Sequence, residues 1–248
     1  MLRRRFLHGA LVSRLALLFH TNALAQTVDR SKTIKEINSL RKKLREKEKL
    51  LLLPSDEDQA AFAKFLRQPK TGLIRLLPRG LYEDRIIMRG GGAYYSFTRK
   101  THEYGYGSDI ELQMYHPNDY APSMTEYMFR TGFAGADYGF IGALGDVPIE
   151  EVTLDHDRLK VLADYRPPSA EPKARLEQRR SSDGISKNGD TYKNGAPAIL
   201  NHTYALRSIN YGRSDVLVAF RVVRKDSDGS VVILWKMLKR FSTPSLLR

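Results

Sequence analysis

The sequence predicts a mainly β protein of the α+β class: an N-terminal helical arm, then one antiparallel β domain built as a sandwich, a partial barrel or a curled sheet. Three observations lead there. Residues 31–53 carry apolar side chains at three-four spacing and stop at Pro54. From residue 71 the pattern changes to short period-2 runs separated by Gly, Pro and Asp. Near the C-terminus, 203–209, 215–225 and 230–241 read as three consecutive strands joined by short turns. With 248 residues, 42% of them hydrophobic, the chain can bury a sizeable core.

The arm is assigned to 26–69. Thr33 and Glu36 have capping-box spacing at the start of its first helix. Ile34, Ile37, Leu40, Leu44 and Leu51 make a narrow apolar stripe, and Lys42, Lys43, Arg45 and Lys47 crowd the middle of the same segment. A stripe so narrow suits a surface helix or a short coiled-coil partner. Ser55 is placed to cap a second helix, with Asp56, Glu57 and Asp58 at the positive end of its dipole. Ala60, Ala61, Phe62, Phe65 and Leu66 supply its buried face, and Pro69 stops it.

The β domain is assigned to 70–248. Residues 73–77, 85–88, 93–99 and 109–113 read as short strands. Ala93, Tyr95 and Phe97 share one face, and Tyr94, Ser96 and Thr98 the other. The glycines at 90–92 interrupt the ladder as a turn or bulge. Residues 127–144 read as one glycine-punctuated β stretch, and 155–157 as a polar loop or helix start. The polar insert at about 164–197, with its prolines and two Asn-Gly pairs, reads as a loop with at most one helical turn near 174–178. In the C-terminal meander, Val216, Val218, Phe220 and Val222 fall on one face. Leu217, Ala219, Arg221 and Val223 fall on the other, and a strand apolar on both faces is covered on both.

Residues 1–25 look like an export signal. Arg3, Arg4 and Arg5 form a basic start, an apolar stretch follows, and Ala23-Leu24-Ala25 makes a small-x-small cleavage pattern, with no acidic residue in the segment. Arg3-Arg4-Arg5-Phe6-Leu7 resembles a twin-arginine signal. Cleavage would place the protein in the periplasm or outside the cell. It would also remove four arginines, lowering the net charge from +13 to +9. An exported basic protein meets few nucleic acids. Its anionic neighbours are cell-wall polymers, acidic polysaccharides and lipid headgroups. The absence of cysteine excludes disulfides, thiolate metal sites and a cysteine nucleophile.

Candidate chemistry concentrates between positions 94 and 140, where half of the chain's 24 aromatic residues fall. Tyrosines suit a binding groove and equally suit a strand core. His102, Glu103, Asp109 and Glu111 flank the turn-like Tyr104-Gly105-Tyr106-Gly107-Ser108. If Asp109 and Glu111 project from one strand face, they could act as paired carboxylates, with His102 or Glu103 assisting and Tyr94, Tyr104 and Tyr106 lining the groove. Solvated loop-end polar residues give the same pattern. The chain has no Gly-x-Ser-x-Gly, His-Glu-x-x-His, phosphate-loop or dinucleotide fingerprint, and nothing names a cofactor. The runs Gly-Gly-Gly-Ala-Tyr-Tyr-Ser-Phe at 90–97 and Gly-Phe-Ala-Gly-Ala-Asp-Tyr-Gly-Phe at 132–140 resemble segments of exported bacterial proteins with no assigned activity. That resemblance implies a bacterial, exported setting and adds no catalytic residue.

The expectation is a non-enzymatic envelope or extracellular binding protein. Its partners would be an anionic cell-wall polymer, polysaccharide or lipid surface, met through the β domain and helped by Lys42, Lys43, Arg45 and Lys47. A protein partner or self-association through 31–53 is the other version. The alternative is a secreted hydrolase using Asp109 and Glu111.

Overall fold

A computed structural model describes residues 29–102, 104–115, 126–187 and 189–247. Residues 1–25, read above as an export signal, and Glu103 lie outside the described residues. Residues up to Lys42 and residues from Lys43 onward group as two units. The first helix, α1, spans Arg30–Leu51. Its cap corrects the sequence reading: Asp29 Oδ1 accepts from Ser31 N at 3.0 Å and Lys32 N at 3.1 Å, so Thr33 and Glu36 already lie inside the helix. Glu48 is buried and accepts from Ile87 N at 2.5 Å and Met88 N at 3.1 Å. Together with Arg85 N and Ile86 N, which donate to Tyr82 O, those bonds explain why 85–88 is not a strand: its amides turn to a helix carboxylate and a preceding carbonyl instead of a ladder.

Ser55 caps α2 (Asp56–Ala61) in a reciprocal capping box with Asp58. A turn at Phe62 leads into α3 (Ala63–Leu66), where Phe65 is buried; Ala60 and Ala61, expected inside, are exposed. Strand β1 (Thr71–Leu76) and the short helix α4 (Arg79–Tyr82) follow. Next come β2 (Tyr94–Tyr95), β3 (Ile110–Tyr115), β4 (Glu126–Arg130) and β5 (Tyr138–Gly145). The stretch 93–99 is thus a strand over two residues only, and 127–144 is two strands in different sheets. Helix α5 (Asp157–Asp164) is capped by His156, whose Nδ1 accepts from Arg158 N at 3.3 Å.

The region 164–197 departs most from its reading. It holds α6 (Glu171–Asp183) and the strands β6 (Ile185–Lys187), β7 (Asp190–Lys193) and β8 (Gly195–Pro197). Only Ala174 and Ser181 of α6 are buried, so the helix has no apolar stripe to announce it. The three strands are short and draw their order from neighbours, β7 pairing with β5 and β8 with β4. The chain ends in β9 (Thr203–Asn210), β10 (Ser214–Lys225) and β11 (Val231–Arg240), the expected meander. Gly229 turns the last hairpin at φ 79°, and a Cβ there would overlap the Tyr127 ring.

The seven-stranded sheet runs β1-β11-β10-β9-β5-β7-β6 and the four-stranded sheet β2-β3-β4-β8, with every ladder antiparallel. Among the described residues no closed barrel forms; the sheets make an α+β sandwich. One core lies between them, where Ile110, Leu112 and Phe129 meet Leu206, Val218, Phe220 and Ile233. A second core lies on the opposite face of the larger sheet, where Leu217, Ala219 and Leu234 meet Phe65, Leu159 and Leu162. Strand β10 is therefore covered on both faces. Each of its fully buried aliphatic side chains contributes roughly 1.5–3 kcal/mol.

Candidate functional site

Strand alternation builds the site. On β3, Ile110 and Leu112 point into the core between the sheets, which leaves Glu111 and Gln113 on the outer face. Tyr94 stands on that outer face while its neighbour Tyr95 enters the core. On β4, Phe129 goes inward and Arg130 outward, directly across the ladder from Glu111. These outer side chains form the floor of a cleft of about 520 Å³. Arg79 from α4, Arg89, the turn at 104–106 and the loop at 131–134 wall it.

The two glycine-rich aromatic runs meet here: the rings of Tyr94 and Phe133 lie edge to face at 5.1 Å between centroids, and Tyr94 and Tyr104 at 5.0 Å. Gly90, at φ 75°, lies under both tyrosines; a Cβ there would come within 2.6 Å of each ring. The Arg89 guanidinium sits 4.8 Å from the centre of the Tyr104 ring.

Three guanidinium groups face one carboxylate in this cleft. Arg79 holds Glu83 with both forks, Nε to Oε2 at 2.8 Å and Nη2 to Oε1 at 3.1 Å, and reaches Glu111 Oε1 with Nη1 at 3.4 Å. The hydrogen bonds to Glu83 raise the Arg79 pKa further above its ordinary value. Burial pushes the Glu111 carboxyl up, while the Tyr94 hydroxyl, donating to it, and Arg79 pull it back. Burial also raises the Tyr94 phenol, so it stays protonated at neutral pH. Among the described residues, no ion pair engages Arg89 or Arg130.

The predicted carboxylate pair is not brought together. Asp109 precedes β3 and turns inside the molecule, fully buried. Its Oδ1 accepts from Ser208 Oγ at 2.7 Å and Asn210 Nδ2 at 3.1 Å, and its Oδ2 from Phe97 N at 2.8 Å. Burial pushes its pKa up to about 6. With its oxygens occupied and away from solvent, it ties β9 to the 96–97 segment and cannot share a substrate with Glu111. His102 is likewise engaged elsewhere: Nε2 donates to Arg75 O at 2.7 Å, the ring packs edge-on against Tyr95, and burial lowers its pKa. Tyr94, Tyr104 and Tyr106 do line the cleft beside Glu111. Lys42, Lys43, Arg45 and Lys47 are exposed on α1.

No family model, curated protein or solved structure matches the chain. The site is read from its own residues. Sequence reasoning missed Arg79, Arg89, Arg130 and Gln113, and held Phe133 only within the aromatic cluster between 94 and 140. Gln113 was accessible through its alternation with Ile110 and Leu112; the arginines come from separate segments that only folding joins. Among the described residues, no group of three or more His, Asp or Glu is placed to hold a metal ion.

Proposed function

We propose that this chain is an exported, non-enzymatic binding protein whose cleft takes an acidic, ring-shaped ligand, an anionic sugar. The observation that carries this reading is the cleft itself: Arg89 and Arg130, in no ion pair among the described residues, stand beside Glu111 and its partner Arg79, with Tyr94 and Tyr104 next to them. A guanidinium fork matches a carboxylate in two parallel hydrogen bonds. Tyrosine rings offer flat, amphipathic faces to the C–H face of a sugar. A concave site with few, convergent polar groups is the usual form of a small-ligand pocket. The export segment at 1–25 puts the protein where acidic polysaccharides and cell-wall polymers are the available anions. A hydrolytic reading lacks its second carboxylate, since Asp109 is enclosed.

Titration calorimetry with a digalacturonate and a neutral disaccharide of the same size tests the proposal. The acidic sugar should bind and the neutral one should not. Arg130→Ala and Arg89→Ala should each weaken binding roughly tenfold or more, the worth of a charge-assisted hydrogen bond of about 1.5–3 kcal/mol. Equal affinity for the neutral sugar, or full affinity in both variants, would refute it.

A further inference from the structure

A second hollow of about 550 Å³ adjoins the cleft, and the two share Tyr106 and Ala134 as a common wall. Its sides come from the loop 134–137, from the β9–β10 turn with Tyr211 and Arg213, from the start of α6, and from Ser245 and Leu246 near the C-terminus. Gly212 N donates to Pro244 O at 2.8 Å, which holds that last segment against the turn.

The chemistry of the first hollow recurs in the second. The Arg213 guanidinium lies 5.4 Å from the centre of the Tyr106 ring, as Arg89 lies over Tyr104. Tyr106 is 57% exposed and lines both hollows. The other charged groups in the second hollow are already committed. Arg175 pairs with Glu171 at 2.7 Å, and Asp137 accepts from Tyr211 N at 2.8 Å. Arg213 acts on the Asp137 carboxylate through space but forms no ion pair among the described residues, and it is the cation that can meet an incoming anion. Either hollow alone has the volume of a small-ligand site. Two of them in line, each with an arginine over a tyrosine, suit a ligand that repeats.

Resting on the reading above, we infer that the two hollows are successive subsites of one groove, with Tyr106 as the platform between them. The ligand is then a chain of acidic sugars carrying carboxylates, not a single sugar. Arg89 and Arg130 hold one residue of the chain, and Arg213 holds a residue further along.

The experiment measures affinity for oligogalacturonates of two, four and six residues. A chain that spans both subsites engages the second one at high effective concentration, so affinity should rise at least about tenfold from the dimer to the hexamer. Arg213→Ala should bring the hexamer down to the dimer's affinity while leaving the dimer unchanged; Tyr106→Ala, which removes the wall shared by both hollows, should also abolish the gain from dimer to hexamer, and Tyr106→Phe should keep it. Both side chains are exposed, and circular dichroism checks that the variants are folded. A dimer that binds as tightly as the hexamer would overturn the extended groove and leave the single-site reading standing. No binding of any length would remove both. A hexamer gain that survives both alanine variants would place the second contact elsewhere. Tighter binding of polyphosphate than of hexagalacturonate would overturn the carboxylate class.

Discussion

At the scale of single residues, Asp109 departs furthest from its expected role. It bridges β9 and the 96–97 segment through Ser208, Asn210 and Phe97. Its carboxyl, ordinarily near 3.8, is raised to about 6 by burial. A raised folded-state value means that the folded protein resists losing the proton more than the unfolded chain does. The stability this contributes is complete below about pH 4 and is lost as pH rises through about 6. Relative to Asp109→Asn, the wild type should lose on the order of 3 kcal/mol between pH 4 and pH 7. Urea unfolding of both proteins at the two pH values measures this; parallel pH profiles would contradict it. Gly90 is the other residue with a definite test. Ala at this position needs a left-handed backbone and presses on Tyr94 and Tyr104. Gly90→Ala should abolish digalacturonate binding while the far-UV circular dichroism stays that of a β protein.

At the scale of elements, buried charges fasten helices to the sandwich. Arg207 on β9 donates from Nε to Asp215 Oδ1 at 2.5 Å, from Nη2 to Asp215 Oδ2 at 2.8 Å and from Nη1 to Leu162 O at 2.7 Å. It therefore ties β10 and the end of α5 to the sheet in one step. Arg207→Ala strands the Asp215 carboxylate in the core and should cost roughly 3–5 kcal/mol in chemical unfolding. Replacing both partners with leucine should recover most of that loss, because no buried charge remains unpaired. If the double variant were as unstable as the single one, packing and not charge would explain the site. Glu48 does a similar job for the 43–51 end of α1. Glu48→Ala leaves the Ile87 and Met88 amides without an acceptor, and hydrogen exchange at those two amides should accelerate before any other change.

At the scale of the molecule, the large sheet is the middle layer. The four-stranded sheet covers one face, and α3, α5 and the 149–152 turn cover the other. The outer face of the small sheet then carries the cleft, on a framework fixed by two cores. Among the described residues, no helix is long and apolar enough to cross a membrane. Attraction between the basic chain and an acidic polymer is screened by salt, with a Debye length of about 10 Å at 0.1 M. Retention on immobilised polygalacturonate should fall steadily from low to high ionic strength. Replacing Lys42, Lys43, Arg45 and Lys47 together should reduce retention at low salt but leave oligomer affinity in the groove intact. Retention insensitive to salt would argue against an ionic contact by the arm.

The sequence by itself determined the elements whose order is local. Pro54, Ser55 and Asp58 bound the helices through caps that act within one turn. The meander at 203–241 is legible because its strands are long, alternate with period 2 and are joined by tight turns. The two apolar faces of β10 announced a buried central strand. The opposite destinations of Tyr94 and Tyr95 followed from the pleat. Tertiary structure alone decided the rest. Helix α6 and strands β6 to β8 are too polar or too short to stand on propensity, and they take their order from pairing with β5 and β4. Asp109 looked like an outward partner of Glu111 because alternation was extended one residue past the start of β3; hydrogen-bond donors far along the chain, at Ser208 and Asn210, drew it inside. The arginines of the cleft lie at 79, 89 and 130, and no spacing links them. Periodicity reports which side of its own element a residue takes. What stands across from it depends on strand pairing over long sequence separations, and that is where the sandwich, in place of a barrel, and its groove were settled.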